Sequence, residues 1–290
     1  GLILLSSLLV TLTACSGGGD TKKANEKENT AQTSKVEMSI EGGSYIIPDG
    51  KKVDDETGFL ALDIKVKNKS KEKLDVSSND FALYDEDGKK VSSEHVYDSN
   101  DNFKVMSNES LSEDKSFTEP LVFEVKKDAK YDLHYEAMYY SEDEKDESIE
   151  LKLDTKKYND DTKAVQALVS QYITKVFHNS DEVKEEDKKA AGKLELANDL
   201  EAESKTFKED SVNSLKEDFT NYDPSTAELE KVITQLQQTN AEKGKVTYSF
   251  KEFFPESAVI YVRPEMVFLD DVDTESIIDK FVEENKGKYT

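Results

Sequence analysis

The residues between Asp98 and Glu109 have types and spacing typical of a calcium-binding loop. Oxygen-bearing side chains stand at its first, third, fifth and twelfth positions, which are Asp98, Asn100, Asn102 and Glu109. Such loops need glycine at the sixth position for a sharp turn, and Phe103 stands there. We therefore expect a solvated loop at this place and predict neither metal ligands nor a cofactor, leaving open weak cation association with the acidic surface.

The three histidines form no motif for catalysis or metal binding. His95, His134 and His178 are scattered along the chain, without the spacing of zinc ligands. A serine hydrolase of the α/β type carries a G-x-S-x-G elbow, which this sequence lacks. The acidic runs are expected to be solvated, whereas acid and base catalysts need environments that separate their pKa values. We predict no catalytic residue and a non-enzymatic protein.

Two further groups of side chains could contact a ligand. Arg263 is the only arginine and precedes Pro264, so it could bind a carboxylate, although a structural ion pair is the preferred interpretation. The pairs Tyr139-Tyr140 and Phe253-Phe254 could form an aromatic patch. In a chain without tryptophan, we expect such pairs to fill the core instead.

Charge and cysteine content exclude several classes of protein. The 290 residues include 39 Lys plus Arg against 63 Asp plus Glu, a formal net charge of -24. Binding to nucleic acid needs clustered cations, so a nucleic-acid partner is not expected. One cysteine excludes an intramolecular disulfide framework.

Cys15 is the residue whose neighbours indicate a specific reaction. Residues 1–14 are uncharged and mostly apolar, which is typical of a signal peptide whose charged start is missing, since the sequence begins at Gly1. The segment Leu12-Thr13-Ala14-Cys15 resembles the bacterial lipobox. That resemblance implies signal-peptidase recognition of Leu12, Thr13 and Ala14 and diacylation of the Cys15 thiol. We therefore expect a lipid anchor on the extracellular face of the cell membrane.

The rest of the chain is predicted to contain a tether and two domains. Residues 15–35 comprise the lipidated cysteine and a polar, disordered tether. Between residues 36 and 157 the apolar residues alternate, as from Leu60 to Val66, and Asp87-Gly88 indicates a tight hairpin turn. Several short strands separated by polar turns favour a β-sandwich.

The pattern changes to a helical period after residue 157. An apolar stripe runs from Val165 to Val176, and further helices are predicted over 182–203, 211–219 and from Ser225 onward. Strand-like segments follow at 246–250, 258–262 and 265–269, with a closing helix capped by Thr274. Residues 158–290 are therefore predicted to form an α+β domain.

Both domains resemble those of cell-surface lipoproteins of Gram-positive Firmicutes. The segments 58–68, 79–89 and 121–125 resemble the telokin-like, immunoglobulin-like extracellular domain of such proteins. Residues 158–290, which open with Ala164-Val-Gln-Ala-Leu-Val169, resemble their carboxy-terminal domain of unknown function. The resemblance implies an immunoglobulin-like β-sandwich followed by an α+β domain.

Three functions remain open at this point. The preferred one is a membrane-anchored, non-enzymatic binding module for an unidentified protein or cell-wall ligand. The second is a lipoprotein that captures a small ligand for a transporter, although the chain lacks the repeated βαβ pattern of periplasmic-type binding proteins. The third is a wall-associated enzyme, which would need a deep pocket holding carboxylates with perturbed pKa values.

Overall fold

The chain divides into two compact units in a computed structural model that describes residues 29–97, 103–136 and 148–267. The first unit comprises Gly1–Thr162 and Ser249–Tyr261, and the second comprises Lys163–Tyr248 and Val262–Thr290. The sequence pattern placed all of residues 158–290 in one domain. The structure instead assigns residues 249–261 to the first unit.

The first unit is a β-sandwich, as the sequence predicted. Two four-stranded sheets have the strand orders β1-β2-β3-β8 and β10-β9-β5-β6, with antiparallel neighbours, and β4 pairs with β7 in a small third sheet. The strands are β1 (Thr30–Gln32), β2 (Val36–Ile46), β3 (Thr57–Asn68), β4 (Leu74–Ser77), β5 (Phe81–Asp85), β6 (Lys90–Ser92), β7 (Asn108–Leu111), β8 (Ser116–Lys126), β9 (Lys130–Glu136) and β10 (Ser148–Asp154).

The alternating residues of the sequence form the core of this sandwich. Leu60, Leu62, Ile64 and Val66 of β3 are fully buried, as the period of two predicted. They belong to one cluster with apolar residues of the second sheet, among them Leu133. The predicted turn also forms, because Gly88 adopts a φ of 77° between β5 and β6, a conformation that glycine adopts without a Cβ clash.

At the start of β3 the opposite face is buried too, at Phe59 and Ala61, which the alternation did not predict. Phe59 and Ala61 pack in a second cluster with Val122 and Phe254. Phe254 is brought there by backbone pairing, since Ile47 and Phe253 exchange two N–H···O hydrogen bonds of 2.8 Å. Phe254, which packs over this face of β3, is therefore about 200 positions away along the chain.

The ordered sandwich begins earlier than the predicted tether allows. Residues 15–35 were expected to be disordered, yet β1 pairs with β2 through Thr30 to Gln32. Backbone hydrogen bonds to a neighbouring strand need no large side chain, and Ala31 packs against the core. The strand was missed because its polar composition conceals this pairing.

The second unit combines helices with parts of a strand pair, which confirms the α+β prediction. Its elements are α1 (Thr162–Tyr172), a π-helical turn (Ile173–Phe177), α2 (Glu185–Ala191), α3 (Leu200–Glu217) and α4 (Thr226–Lys243), followed by the paired strands β11 (Lys245–Phe254) and β12 (Ser257–Glu265). The predicted stripe from Val165 to Val176 is buried.

Several predicted boundaries in this unit were wrong. The segment 182–203 contains the short helix α2, which ends at Gly192 with a φ of 63°. The predicted helix over 211–219 is the end of α3, which already begins at Leu200. Met266 and Val267 are not in a strand, because the backbone of Val267 bonds to the Asn240 side chain instead. The closing helix predicted from Thr274 lies outside the described residues.

Candidate functional site

A row of polar side chains lies on the outer face of the sheet β10-β9-β5-β6. We call it the polar row, and it consists of Tyr84, Asp132, His134, Glu150 and Lys152. Residues two apart on a strand share a face, so Asp132 and His134 point away from the core while Leu133 is fully buried. The strand register then places residues of β5 and β10 beside them.

Register determines which groups meet in the polar row. His134 stands opposite Glu150, and Asp132 stands opposite Lys152 on one side and Tyr84 on the other. Directly opposed residues in antiparallel strands have Cβ atoms about 5 Å apart, close enough for side-chain contact. Three elements thus bring these five side chains together.

The charged members of the polar row form a compact network. The Lys152 Nζ atom lies 2.8 Å from Asp132 Oδ1 and 2.8 Å from Glu150 Oε1. His134 Nε2 lies 3.7 Å from Glu150 Oε2. One ligand atom from each of Asp132, His134 and Glu150 can be chosen so that all three lie within 4.8 Å of one another.

The hydrogen bonds from Lys152 affect its protonation. Bonds to Asp132 and then Glu150 raise the pKa of the Lys152 ammonium to about 12. The Lys152 side chain is therefore positively charged throughout the physiological pH range. The outer face holds a permanent cation between two carboxylates.

The ring of His134 is positioned by an aromatic neighbour. Its centroid lies 4.6 Å from that of Tyr84, with the two ring planes tilted by 52°. Such a contact restricts the orientation of the imidazole. The arrangement can present one nitrogen and two carboxylate ligands to a small cation.

A groove of about 730 Å³ lies beside the polar row. We call it the sheet groove, and its lining shares Tyr84, Asp132 and Lys152 with the polar row. The lining also carries Lys130, Lys157, Asp85 and Asp154, so charges of both signs face the groove. This composition suits a polar ligand that has both anionic and cationic groups.

The predicted lipidation site lies outside the described residues. This holds for Cys15 and for the recognition residues Leu12, Thr13 and Ala14. Residues 98–102 of the rejected calcium loop also lie outside them, while its last residue, Glu109, stands in β7 opposite Val76. The pair Tyr139-Tyr140 falls outside as well.

The other candidate residues are dispersed. His95 is exposed and contacts Tyr97 edge to face, whereas burial lowers the pKa of His178 in the second unit. Phe253 and Phe254 are buried, which confirms their predicted place in the core. Arg263 is exposed on β12, and the described part of the chain contains no ion-pair partner for it.

The polar row was not predicted from the sequence. His134 was assigned to no metal-binding or catalytic motif, because its partners are separated from it by up to 50 positions. The signal that could have found it is the pattern Asp-x-His on one strand and Glu-x-Lys on the next. Combining the two patterns requires the register between the strands.

No helix within the described ranges is both long and apolar enough to cross a membrane.

The chain is similar in sequence and structure to known proteins. Residues 19–145 match the family model of a domain of unknown function, DUF4352. The uncharacterized lipoprotein YcdA of Bacillus subtilis is 26% identical over 302 residues, covering 100% of this chain and 79% of YcdA. The crystal structure of YcdA has a TM-score of 0.69 at 21% identity, covering 90% of this chain and 81% of that chain. The chain is thus similar to a lipoprotein of a Gram-positive bacterium along its whole length and shares its fold.

Proposed function

We propose that this protein is a lipoprotein held on the extracellular face of the cell membrane by diacylated Cys15. Its folded units are proposed to act outside the cell as a non-enzymatic binding module. The similarity to YcdA supports the first part, because it extends over the whole chain and YcdA is named a lipoprotein. The segment Leu12-Thr13-Ala14-Cys15 supplies the chemistry, since a thiol can accept a diacylglyceryl group.

Physical considerations favour a covalent anchor. Each buried acyl CH₂ contributes about 0.8 kcal/mol, and two chains give stable attachment where one chain is reversible. The net charge of -24 offers no attraction to anionic lipid headgroups. Attachment should therefore depend on Cys15 alone.

The sheet groove is the observation that supports a binding role. Lys130, Lys152 and Lys157 face it together with Asp85, Asp132 and Asp154. A groove of about 730 Å³ with both charges on its walls fits a polar segment of a larger molecule or a small zwitterionic ligand. We infer that recognition rests on these charges.

Anchoring is tested by fractionating cells that express the complete gene. We expect the wild-type chain in the membrane fraction, where protease added outside intact protoplasts digests it. The Cys15→Ser variant should leave the membrane, whereas Ser16→Ala should behave as wild type. Retention of Cys15→Ser in the membrane, or protection of the wild type from protease, would contradict the proposal.

Binding through the groove is tested by crosslinking the purified chain to isolated cell envelopes. The double substitution Lys130→Glu with Lys157→Glu is expected to reduce capture of envelope material at least about fivefold, because it inverts two of the groove's charges. Lys188→Glu with Lys205→Glu changes the charge equally on the helical unit and serves as the control. Equal capture by both variants would overturn a role for the groove.

A further inference from the structure

We propose that Asp132, His134 and Glu150 bind one divalent transition-metal ion, with Zn²⁺ as the representative case. The three side chains offer one imidazole nitrogen and two carboxylate oxygens within 4.8 Å of one another. They stand on two paired strands, so the backbone fixes their spacing. This site extends the function proposed above and does not depend on it.

The ligand atoms of Asp132, His134 and Glu150 are close enough to bind one zinc ion after small side-chain rotations. Zinc binds imidazole and carboxylate at about 2.0–2.2 Å, so tetrahedral ligands lie about 3.3 Å from one another. His134 Nε2 and Glu150 Oε2, at 3.7 Å, are already close to that separation. The remaining pairs must approach by at most about 1.5 Å. Side chains that are 29% to 49% exposed can make this adjustment by rotation.

The polar row already holds a cation at this position. The Lys152 ammonium lies 2.8 Å from a carboxylate oxygen of both Asp132 and Glu150. A metal ion would take its place, and Lys152 can move away because its side chain is 75% exposed. Its charge would still oppose the metal ion. Lys152 is therefore a competitor whose removal should strengthen binding.

The imidazole of His134 distinguishes this site from an acidic surface that attracts cations nonspecifically. Calcium and magnesium prefer oxygen ligands and gain little from imidazole, whereas zinc, cobalt and nickel bind it well. Tyr84 restricts the ring of His134 by its contact at 4.6 Å. Three protein ligands also leave a fourth coordination position open for water or another ligand.

Calorimetric titration of the complete, untagged chain with Zn²⁺ tests the proposal. The buffer contains about 1 mM Ca²⁺, which occupies nonspecific carboxylate sites. We expect one equivalent of Zn²⁺ to bind with a Kd of about 1–50 μM. His134→Gln and Glu150→Gln should each weaken binding at least about tenfold, because each removes one of three ligands. His95→Gln and Asp128→Asn change an exposed histidine and a lysine-paired carboxylate elsewhere and should leave the Kd unchanged.

The Lys152→Met variant distinguishes competition from a purely structural role. We expect it to bind Zn²⁺ about three to ten times more tightly, because the competing ammonium is gone. Circular dichroism of each variant checks that the fold is kept. Absence of binding, displacement of Zn²⁺ by Ca²⁺, or an affinity unaffected by His134→Gln in a folded variant would each overturn the proposal.

Discussion

At the residue scale, the pair Lys127 and Asp160 shows how hydrogen bonding outweighs burial. Burial alone would raise the pKa of the Asp160 carboxyl. Lys127 Nζ lies 2.7 Å from Asp160 Oδ2, and the Thr162 hydroxyl and backbone N–H donate to Oδ1. These contacts hold the pKa of Asp160 below its ordinary value. The carboxylate therefore stabilises the fold above its unfolded pKa, and this stabilisation is lost as pH falls through the lower folded pKa.

The substitution Asp160→Asn should consequently have an effect that depends on pH. At neutral pH we expect a loss of about 1 kcal/mol in the free energy of unfolding, since the pair is only partly exposed. The difference from wild type should shrink as pH falls below about 4. Urea unfolding followed by circular dichroism at several pH values measures it. Asp128→Asn, in the exposed pair with Lys156, should cost less than about 0.5 kcal/mol. A difference that stays constant with pH would refute the role of the Asp160 charge.

At the element scale, a close backbone approach lies beside a register shift in β2. The register with β3 shifts between Ile40 and Gly42, and a Cβ on Gly43 would lie 2.5 Å from the Ala61 carbonyl oxygen. It would also lie 3.1 Å from the ring of Tyr158. A backbone oxygen in a central strand cannot move away, so the site requires glycine.

We therefore expect Gly43→Ala to destabilise the first unit by about 2 kcal/mol or more. The neighbouring Gly42→Ala is the matched control, because its new Cβ would meet only a side-chain atom, Asp63 Oδ2 at 3.1 Å, and no backbone. It should cost less than about 1 kcal/mol. Urea unfolding of both variants measures the difference. Equal stability of the two would show that the strand relaxes around either methyl group.

Helix α4 depends on its capping residues. Ser225 and Glu228 form a reciprocal capping box in which each side chain contacts the backbone of the other. We expect Ser225→Ala to lower helix stability by about 1 kcal/mol, measured by thermal unfolding. Ser214→Ala makes the same chemical change at an exposed position inside α3 and should be stabilising by a few tenths of a kcal/mol. A stabilising Ser225→Ala would contradict the importance of the cap.

The sequence predicted those elements whose signals lie within a few residues of one another. Asp87-Gly88 indicated the hairpin turn, the stripe from Val165 to Val176 indicated α1, and Ser225 indicated the start of α4. The buried second face of β3 could not be predicted, because its cover is Phe254, which is remote in sequence. Strand β1 was concealed for the same reason, since β2 supplies its partner groups.

The polar row also depends on information that is not local. Asp132 and His134 alternate with buried residues, which is readable from the sequence. Their approach to Glu150 and Lys152 depends on how β9 and β10 pair, and a shift by one residue would turn those side chains to the other face. The alternation therefore indicates a strand, whereas the site depends on the register between β9 and β10 and was not predicted.

At the scale of the whole molecule, charge and location are connected. A formal charge of -24 repels the chain from anionic lipid surfaces. Charge therefore would not hold the protein at a membrane. We propose that attachment depends on two acyl chains at one residue, Cys15.

Intact-mass analysis of the protein purified from membranes of cells carrying the complete gene tests the proposed lipid anchor. We expect a mature chain that begins at Cys15 and carries the mass of a diacylglyceryl group, and we expect Cys15→Ala to carry none. A chain with an unmodified Cys15, or one that retains residues 1–14 while bound to the membrane, would rule out the anchor.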